Sequence, residues 1–234
     1  MIRLNRYYIT AIIAAAGKGT RMNANTNKQY IHLKDKPILA HTISIFENHP
    51  SVNEIIIVVG KNEKEKCNNE IIKPYGFKKI KSLVTGGETR QQSMYNGLKE
   101  VSKDTDIVIT HDGARPLLEE MILSESIKKT IVHGATVVGV PVKNTIKKVD
   151  SEGFIKKTLN RELLWNIQTP QSFLYSLLLK AHNTAKEAGF IGTDDAMLVE
   201  YIGHPIKLIW GNEDNIKITT QEDLDFAELI LSKR

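Results

Sequence analysis

Six short runs rich in Val, Ile and Ala recur along the chain, at residues 9–16, 54–59, 79–84, 106–110, 135–140 and 206–209. They are short, and their Val and Ile content reads as buried strands. Amphipathic stretches separate several of them. Pro37 can occupy the first turn of a helix whose apolar face carries Ile38, Ile45 and Phe46. Residues 91–101 set Met94, Leu98 and Val101 on one stripe, and 118–132 form a third helical pattern. Such alternation predicts right-handed βαβ units. The expected fold is α/β: a single Rossmann-like domain over residues 1–234, with a mostly parallel twisted sheet flanked by helices.

Two regions break the alternation. Between 142 and 165, β-branched residues at 145–149, the turn signal Asp150-Ser151-Glu152-Gly153 and a second run at 154–159 predict a protruding β-hairpin arm. Near the C-terminus, Thr219 and Glu222 stand at capping-box spacing ahead of the apolar stripe Leu224, Ala227 and Ile230.

Composition narrows the partners. A chain of 234 residues with 41% hydrophobic content can bury one sizeable core. The net charge is +5, but the cations are spread out and no block of five or six like charges appears, so no nucleic-acid partner is expected. Cys67 is the single cysteine, which rules out an intrachain disulfide and suits a reducing compartment. The longest apolar run, 9–16, is far short of the ~20 residues that cross a bilayer. The first ten residues lack the apolar core of a signal peptide. A cytoplasmic protein without a membrane partner is expected.

The strongest local signal is AIIAAAGKGTRM, residues 11–22. A buried strand runs into small residues, then Gly17 and Gly19, then Lys18, Arg21 and Lys28. Small residues let the backbone approach a ligand, and successive N–H groups form an anion nest. The dinucleotide fingerprint would need a small residue where Met22 stands, and the P-loop needs four residues between its glycine and Gly-Lys. What remains is a triphosphate cradle at the carboxyl end of the first strand, or a plain structural turn.

AAAGKGTRM followed by NKQY is similar to the opening of sugar-nucleotide pyrophosphorylase-type nucleotidyltransferases. The later segments GGETRQQSMYNGL (86–98), THDGARP (110–116), PVKNTIKK (141–148), NRELLWNIQTPQSF (160–173), TDDAMLVEYIG (193–203) and NIKITTQEDL (215–224) narrow the match. In this order they resemble the 2-C-methyl-D-erythritol 4-phosphate cytidylyltransferase family over nearly the whole chain. Ribitol-5-phosphate cytidylyltransferases share the first loop, THD-x-x-RP, TPQSF and NIKITT. The NTIKK arm, NRELLW and TDDAMLVEYIG favour the erythritol enzymes. A third alternative is a non-catalytic nucleotide-binding regulator, against which Arg21, Lys28, Asp112 and Lys217 together speak.

The resemblance implies in-line attack of a sugar-alcohol phosphate on the CTP α-phosphorus, with Mg²⁺ as cofactor. Arg21 and Lys28 take the catalytic positions around the α-phosphate, although the family's proline before that lysine is Asn27 here. Ala15, Ala16, Gly17, Lys18 and Gly19 would hold the CTP phosphates. Gly86, Gly87, Arg90 and Ser93 would read cytosine and help hold the triphosphate, or else form a plain strand–helix turn capped by Thr89. Asp112 and Gly113 would border the nucleotide. Asp112 is the first metal candidate and Asp214 the second, with a helix N-cap the plainer role for Asp112. Arg115, Thr145, Arg161, Thr193, Asp194 and Lys217 match acceptor-binding positions; surface pairing is the alternative for Arg115 and helix capping for Thr193. In the family the arm carrying Thr145 and Arg161 crosses to a second subunit, which implies a homodimer with arm exchange. His111 reads as packing, since an attacking phosphate is already ionised.

Overall fold

A computed structural model describes residues 6–17 and 27–234. The elements follow in chain order: β1 (Ile9–Ala15), a 3-10 turn (Lys28–Tyr30), the short β2 (His32–Leu33) and β3 (Lys36–Pro37), α1 (Ile38–Asn48), β4 (Glu54–Val59) and α2 (Lys64–Cys67). A π turn (Asn68–Ile72) leads to α3 (Lys73–Tyr75), β5 (Ile80–Thr85), α4 (Arg90–Leu98), β6 (Ile107–Asp112), α5 (Glu120–His133), β7 (Ala135–Pro141), β8 (Lys147–Val149) and β9 (Ile155–Thr158). A second 3-10 turn (Arg161–Leu163), β10 (Trp165–Leu174), α6 (Tyr175–Glu187), α7 (Asp195–Tyr201), β11 (Lys207–Trp210) and α8 (Gln221–Lys233) complete the fold.

Seven strands form one sheet in the order β11-β7-β10-β6-β1-β4-β5. All pairings are parallel except those of β10, which runs antiparallel to both β6 and β7. The mostly parallel sheet expected from the apolar runs is therefore present. Why those runs do not alternate is visible along β1 and β4. Ile9, Ala11, Ile13, Ile55, Ile57 and Val59 face one core with α1 and α5, whereas Ile12, Ile56 and Val58 face a second core with α4, α6 and α7. Both faces are covered, so these positions are apolar, and the polar exceptions, Thr10 and Glu54, bond each other at the amino end of the sheet. A third, smaller cluster seats Leu224, Ala227 and Ile230 of α8 on Leu33, Ile38, Leu117 and Ile218.

Four local expectations are corrected. β10 was not anticipated as a strand: Gln168, Thr169, Pro170 and Gln171 interrupt its apolar character, and the register shifts between Ile167 and Gln171 to accommodate them. The capping box of α8 is Thr220 with Asp223, one residue beyond the expected pair, because Thr219 instead donates to Asp223 from outside the helix. Pro37 is the N-cap of α1, its ψ of 146° still extended, and not its first helical residue. Thr145 precedes β8 and lies outside the hairpin ladder. The hairpin itself is present: β8 and β9 form a separate two-stranded antiparallel sheet whose residues are all exposed. A bond from Val142 N to Leu164 O (3.0 Å) closes its neck.

The chain leaves β1 toward β4 and β5 on one side, then crosses to β6 on the other. The carboxyl ends of β1 and β6 thus flank the switch point, where open α/β sheets bind ligands. At the opposite end, the buried Glu54 carboxylate accepts from Thr10 (2.9 Å), from Ser102 N and Oγ (3.0 and 2.6 Å) and from the Tyr8 hydroxyl (3.2 Å), with Lys81 at 3.6 Å. Burial alone would raise this carboxyl; the Ser102 and Thr10 bonds and Lys81 outweigh it and hold it below its ordinary value. Its stabilising contribution is therefore full above about pH 4.5 and is lost as pH falls through the folded-state value. Glu54→Gln should cost about 1–3 kcal/mol in urea unfolding at neutral pH. That difference should shrink on acidification; a gap independent of pH would show that the charge contributes nothing.

Candidate functional site

The tip of β1 runs into Ala15, Ala16 and Gly17, and a turn at Lys28–Tyr30 folds back onto it: Gln29 Nε2 donates to Ala15 O at 2.5 Å. Lys28 Nζ donates to Ile218 O at 2.9 Å. Lys18, Gly19 and Arg21, three of the expected phosphate-loop residues, lie outside the described residues. Across the end of β4, the turn after β5 passes so close to the one after β1 that a Cβ on Gly86 would stand 2.5 Å from Ala16 Cβ. Only glycine fits there. The Gly87–Thr89 turn then enters α4, with Thr89 as N-cap accepting from Gln92 N. Ser93 pins this turn, accepting from Gly87 N (3.0 Å) and donating to Thr89 O (2.8 Å). Capping by Thr89 and a ligand-facing turn are thus compatible.

On the other side of β1, β6 ends in Asp112. Gly113 N donates to Ala14 O at 2.9 Å, and a Cβ on Gly113 would meet that oxygen at 3.1 Å. Asp112 does not cap a helix. It is buried, and three cations converge on it: Lys217 Nζ at 2.7 Å and Arg115 Nε at 3.8 Å on Oδ2, and Arg90 Nε at 3.8 Å on Oδ1. Burial would raise its carboxyl, but Lys217, Arg90 and Arg115 more than offset that and hold it ionised, below the usual carboxylate range. Arg115 is also tied down by a 2.6 Å bond from Nη1 to Asn215 O, so surface pairing does not describe it.

His111 and Thr169 lock the backbone under this carboxylate. His111 is fully buried against Phe46, and burial pushes its imidazole down to about 4. It is therefore neutral at pH 7. Its Nε2 lies 3.0 Å from Arg115 O, a carbonyl that can only accept, so Nε2 carries the proton. Nδ1 then accepts from the Thr169 hydroxyl (2.9 Å), whose oxygen accepts from Asp112 N (3.1 Å). Packing and orientation, not proton transfer, is the role this geometry allows.

Of the expected acceptor residues, Lys217 and Arg115 join the Asp112 cluster. Asp194 is the N-cap of α7, accepting from Met197 N, which removes that role from Thr193; Gln171 Nε2 on β10 donates to the other Asp194 oxygen at 2.7 Å. Thr193 is exposed and bonds Met197 Sδ. Thr145 and Arg161 stay with the arm, where Arg161 Nη1 donates to Lys143 O at 3.0 Å. Asp214 lies in the turn before Lys217, its N–H on Asn212 Oδ1. Among the described residues no group of three or more His, Cys, Asp or Glu side chains could hold a metal ion. Cys67 is buried, its thiol pushed up to about 12 by burial and Glu63, so it is no nucleophile. A groove of about 310 Å³ opens at the arm root, lined by Pro141, Lys143, Asn166, Gln168 and Glu213 among others. It lies one strand over from the Asp112 crevice along the same sheet edge.

Sequence reading did not single out Thr169, Gln171 or Asp195. Asp195 had a signal: with Leu198 and Val199 it occupies i, i+3, i+4, the buried face of α7.

An open α/β sheet with a cation-lined crevice at its switch point is a scaffold for phosphate-bearing ligands. Residues 9–233 match the family IspD, 2-C-methyl-D-erythritol 4-phosphate cytidylyltransferase, and the chain belongs to that family. It is 50% identical over 225 residues to the protein of that name from Alkaliphilus oremlandii, covering 96% of this chain and 95% of that one. It is 46% identical over 226 residues to that from Alkaliphilus metalliredigens, covering 97% and 94%. The crystal structure of 4-diphosphocytidyl-2C-methyl-D-erythritol synthase from Anaerococcus prevotii superposes with a TM-score of 0.86, at 33% identity and 98% coverage of both chains.

The neutral His111 sets a check. In the folded protein its ring should show no titration between about pH 5 and 8 by NMR. Because its folded value is depressed, its contribution to stability is full above about 6.5 and is lost as pH falls toward about 4. A histidine resonance assigned to His111 that titrates near 6.5 would contradict the bonding chain.

Proposed function

We propose that the chain is a cytidylyltransferase that joins 2-C-methyl-D-erythritol 4-phosphate to the CMP half of CTP and releases pyrophosphate, a step in isoprenoid precursor synthesis. The observation that carries this reading is the convergence of Arg90, Arg115 and Lys217 on the ionised Asp112 at the β1–β6 switch point. Both reactants are anions, so catalysis rests on neutralising charge and holding them in line.

The backbone of Ala15, Ala16 and Gly17 cradles the triphosphate together with Lys18 and Gly19. Gly86, Gly87, Arg90 and Ser93 receive the cytidine and help hold the triphosphate, bordered by Gly113. Lys28 and Arg21 stabilise the charge that builds at the α-phosphate in the transition state. Arg115 and Lys217 draw in the acceptor phosphate, with Thr193 and Asp194 beside its hydroxyls. The acceptor oxygen attacks as the ionised phosphate, so no protein base is required.

The donor set fits Mg²⁺. Asp112 is an ionised hard-oxygen ligand at the crevice, and Mg²⁺ takes one or two carboxylates and completes its shell with substrate phosphates and water. Asp112 would hold it, with Asp214 as the second carboxylate. When bound, it supplies further neutralisation of the triphosphate.

The arm over residues 142–165, carrying Thr145 and Arg161, reaches a second subunit of a homodimer and completes the partner's acceptor site. Exposed Val149, Phe154, Ile155 and Leu163 on and beside the hairpin favour this reading. Among the described residues no helix is long and apolar enough to cross a membrane.

Pyrophosphate release with CTP and Mg²⁺ should be rapid with methylerythritol phosphate and slow with ribitol 5-phosphate. The reverse preference overturns the acceptor assignment, and no release with either overturns the enzyme. Lys28→Ala should lower kcat by on the order of 10²-fold, as loss of a transition-state charge contact does. Mixing Lys28→Ala with Arg161→Ala subunits should restore one good site per heterodimer; no recovery would mean that Arg161 serves its own subunit.

A further inference from the structure

Asp195 is fully buried at the start of α7, and the mechanism above does not use it. Its two oxygens are both taken: Oδ2 accepts from Arg90 Nη1 at 3.0 Å and Oδ1 lies 3.1 Å from His182 Nε2. His182 is also buried, and its ring stacks on Tyr95 at 5.8 Å. Tyr95 belongs to α4, the helix that Arg90 begins, and its hydroxyl donates to Asn183 of α6 at 2.8 Å. Helices α4, α6 and α7 are thus clasped around one carboxylate. Burial would neutralise that carboxyl, but Arg90 and His182 overcome it and keep it ionised.

A buried ion pair is a poor way to gain stability, since apolar packing serves as well, so its use here points to orientation. Arg90 is the member that reaches the surface, with its side chain 29% exposed and its Nε 3.8 Å from Asp112 Oδ1. It stands between two carboxylates, one buried behind it and one in the crevice. Without the rear one, the guanidinium would be free to move from its 3.8 Å approach into a close pair with Asp112 and to compete there with Lys217. With it, one arm of a planar five-donor fork is fixed and the exposed remainder is left for an anion. The same contact joins the two loops that receive the two substrates, residues 86–90 and 193–195.

We propose that Asp195, backed by His182, is a positioning residue that anchors the Arg90 guanidinium from behind, keeps it from closing further onto Asp112 and leaves its exposed part facing the nucleotide triphosphate. This rests on the cytidylyltransferase reading for the identity of the anion.

The test is a double-mutant cycle on the full-length protein, read by calorimetric CTP binding and by steady-state kinetics. Asp195→Asn, which keeps the shape and removes the charge, should raise both Kd and KM for CTP about tenfold, as loss of a charge-assisted contact does. Arg90→Gln should do the same, and Asp195→Asn should add nothing in the Arg90→Gln background. Additive effects would overturn the proposal. So would a lowered melting temperature and kcat with Kd and KM unchanged, the pattern of a merely structural residue. Should Asp195→Asn fail to fold, His182→Gln leaves the Asp195–Arg90 contact in place. It should raise Kd by about threefold, again only when Arg90 is present; a rise that persists in the Arg90→Gln background overturns the proposal. A wild-type protein that ignores CTP refutes the functional reading and this ligand with it. One that binds CTP alongside unaffected variants refutes the positioning role alone.

Discussion

An ionised carboxylate held out of water is costly unless several cations surround it, and Asp112 has three. They come from distant parts of the chain: Arg90 from the start of α4, Arg115 from the turn after β6, Lys217 from the loop before α8. Asp112 therefore gathers the loops at the carboxyl edge of the sheet. Ile218 N on Ala114 O (2.9 Å) and Lys28 Nζ on Ile218 O (2.9 Å) extend the same closure toward β1. Without the central anion, the cations would repel one another and the crevice would lose its shape.

The parallel core was legible because its strands obey one simple rule: a strand covered by helices on both faces is mostly apolar, with its polar residues near its ends. β10 escaped that rule for a physical reason. It lies between β6 and β7, yet its middle carries Gln168, Thr169 and Gln171, whose polar groups bond Asn212, His111 and Asp194. A strand that serves as a bonding platform for a site cannot look like a strand of the core. The one-residue error at α8 has a similar origin. Two adjacent threonines both bond Asp223, and only the backbone decides which of them is the cap.

The site was legible as a set of residues but not as an arrangement. Motifs marked Asp112, Arg115 and Lys217 separately, and their mutual contact required the fold. Thr169 was invisible because its part is to carry a hydrogen bond between a backbone N–H and a buried imidazole, which no spacing encodes. Asp195 was overlooked beside Asp194, although the helical period separates them: one caps the helix, and the next turns inward to meet Arg90 and His182.

The two ends of the sheet treat buried charge in opposite ways. At the amino end, Glu54 is satisfied mainly by neutral hydroxyl and amide donors, so the carboxylate is settled and nothing is left over for a ligand. At the carboxyl end, Asp112, Asp194 and Asp195 stand among Arg90, Arg115 and Lys217, and the Arg90 and Lys217 side chains stay 29% and 41% exposed. Nearby Asp194 is engaged by Gln171 and the α7 backbone. Cations that stay partly exposed in a crevice remain available to a polyanion entering it. Settled charge at one end and unsettled charge at the other is what lets a rigid sheet tolerate a site whose electrostatics are completed only by its ligand.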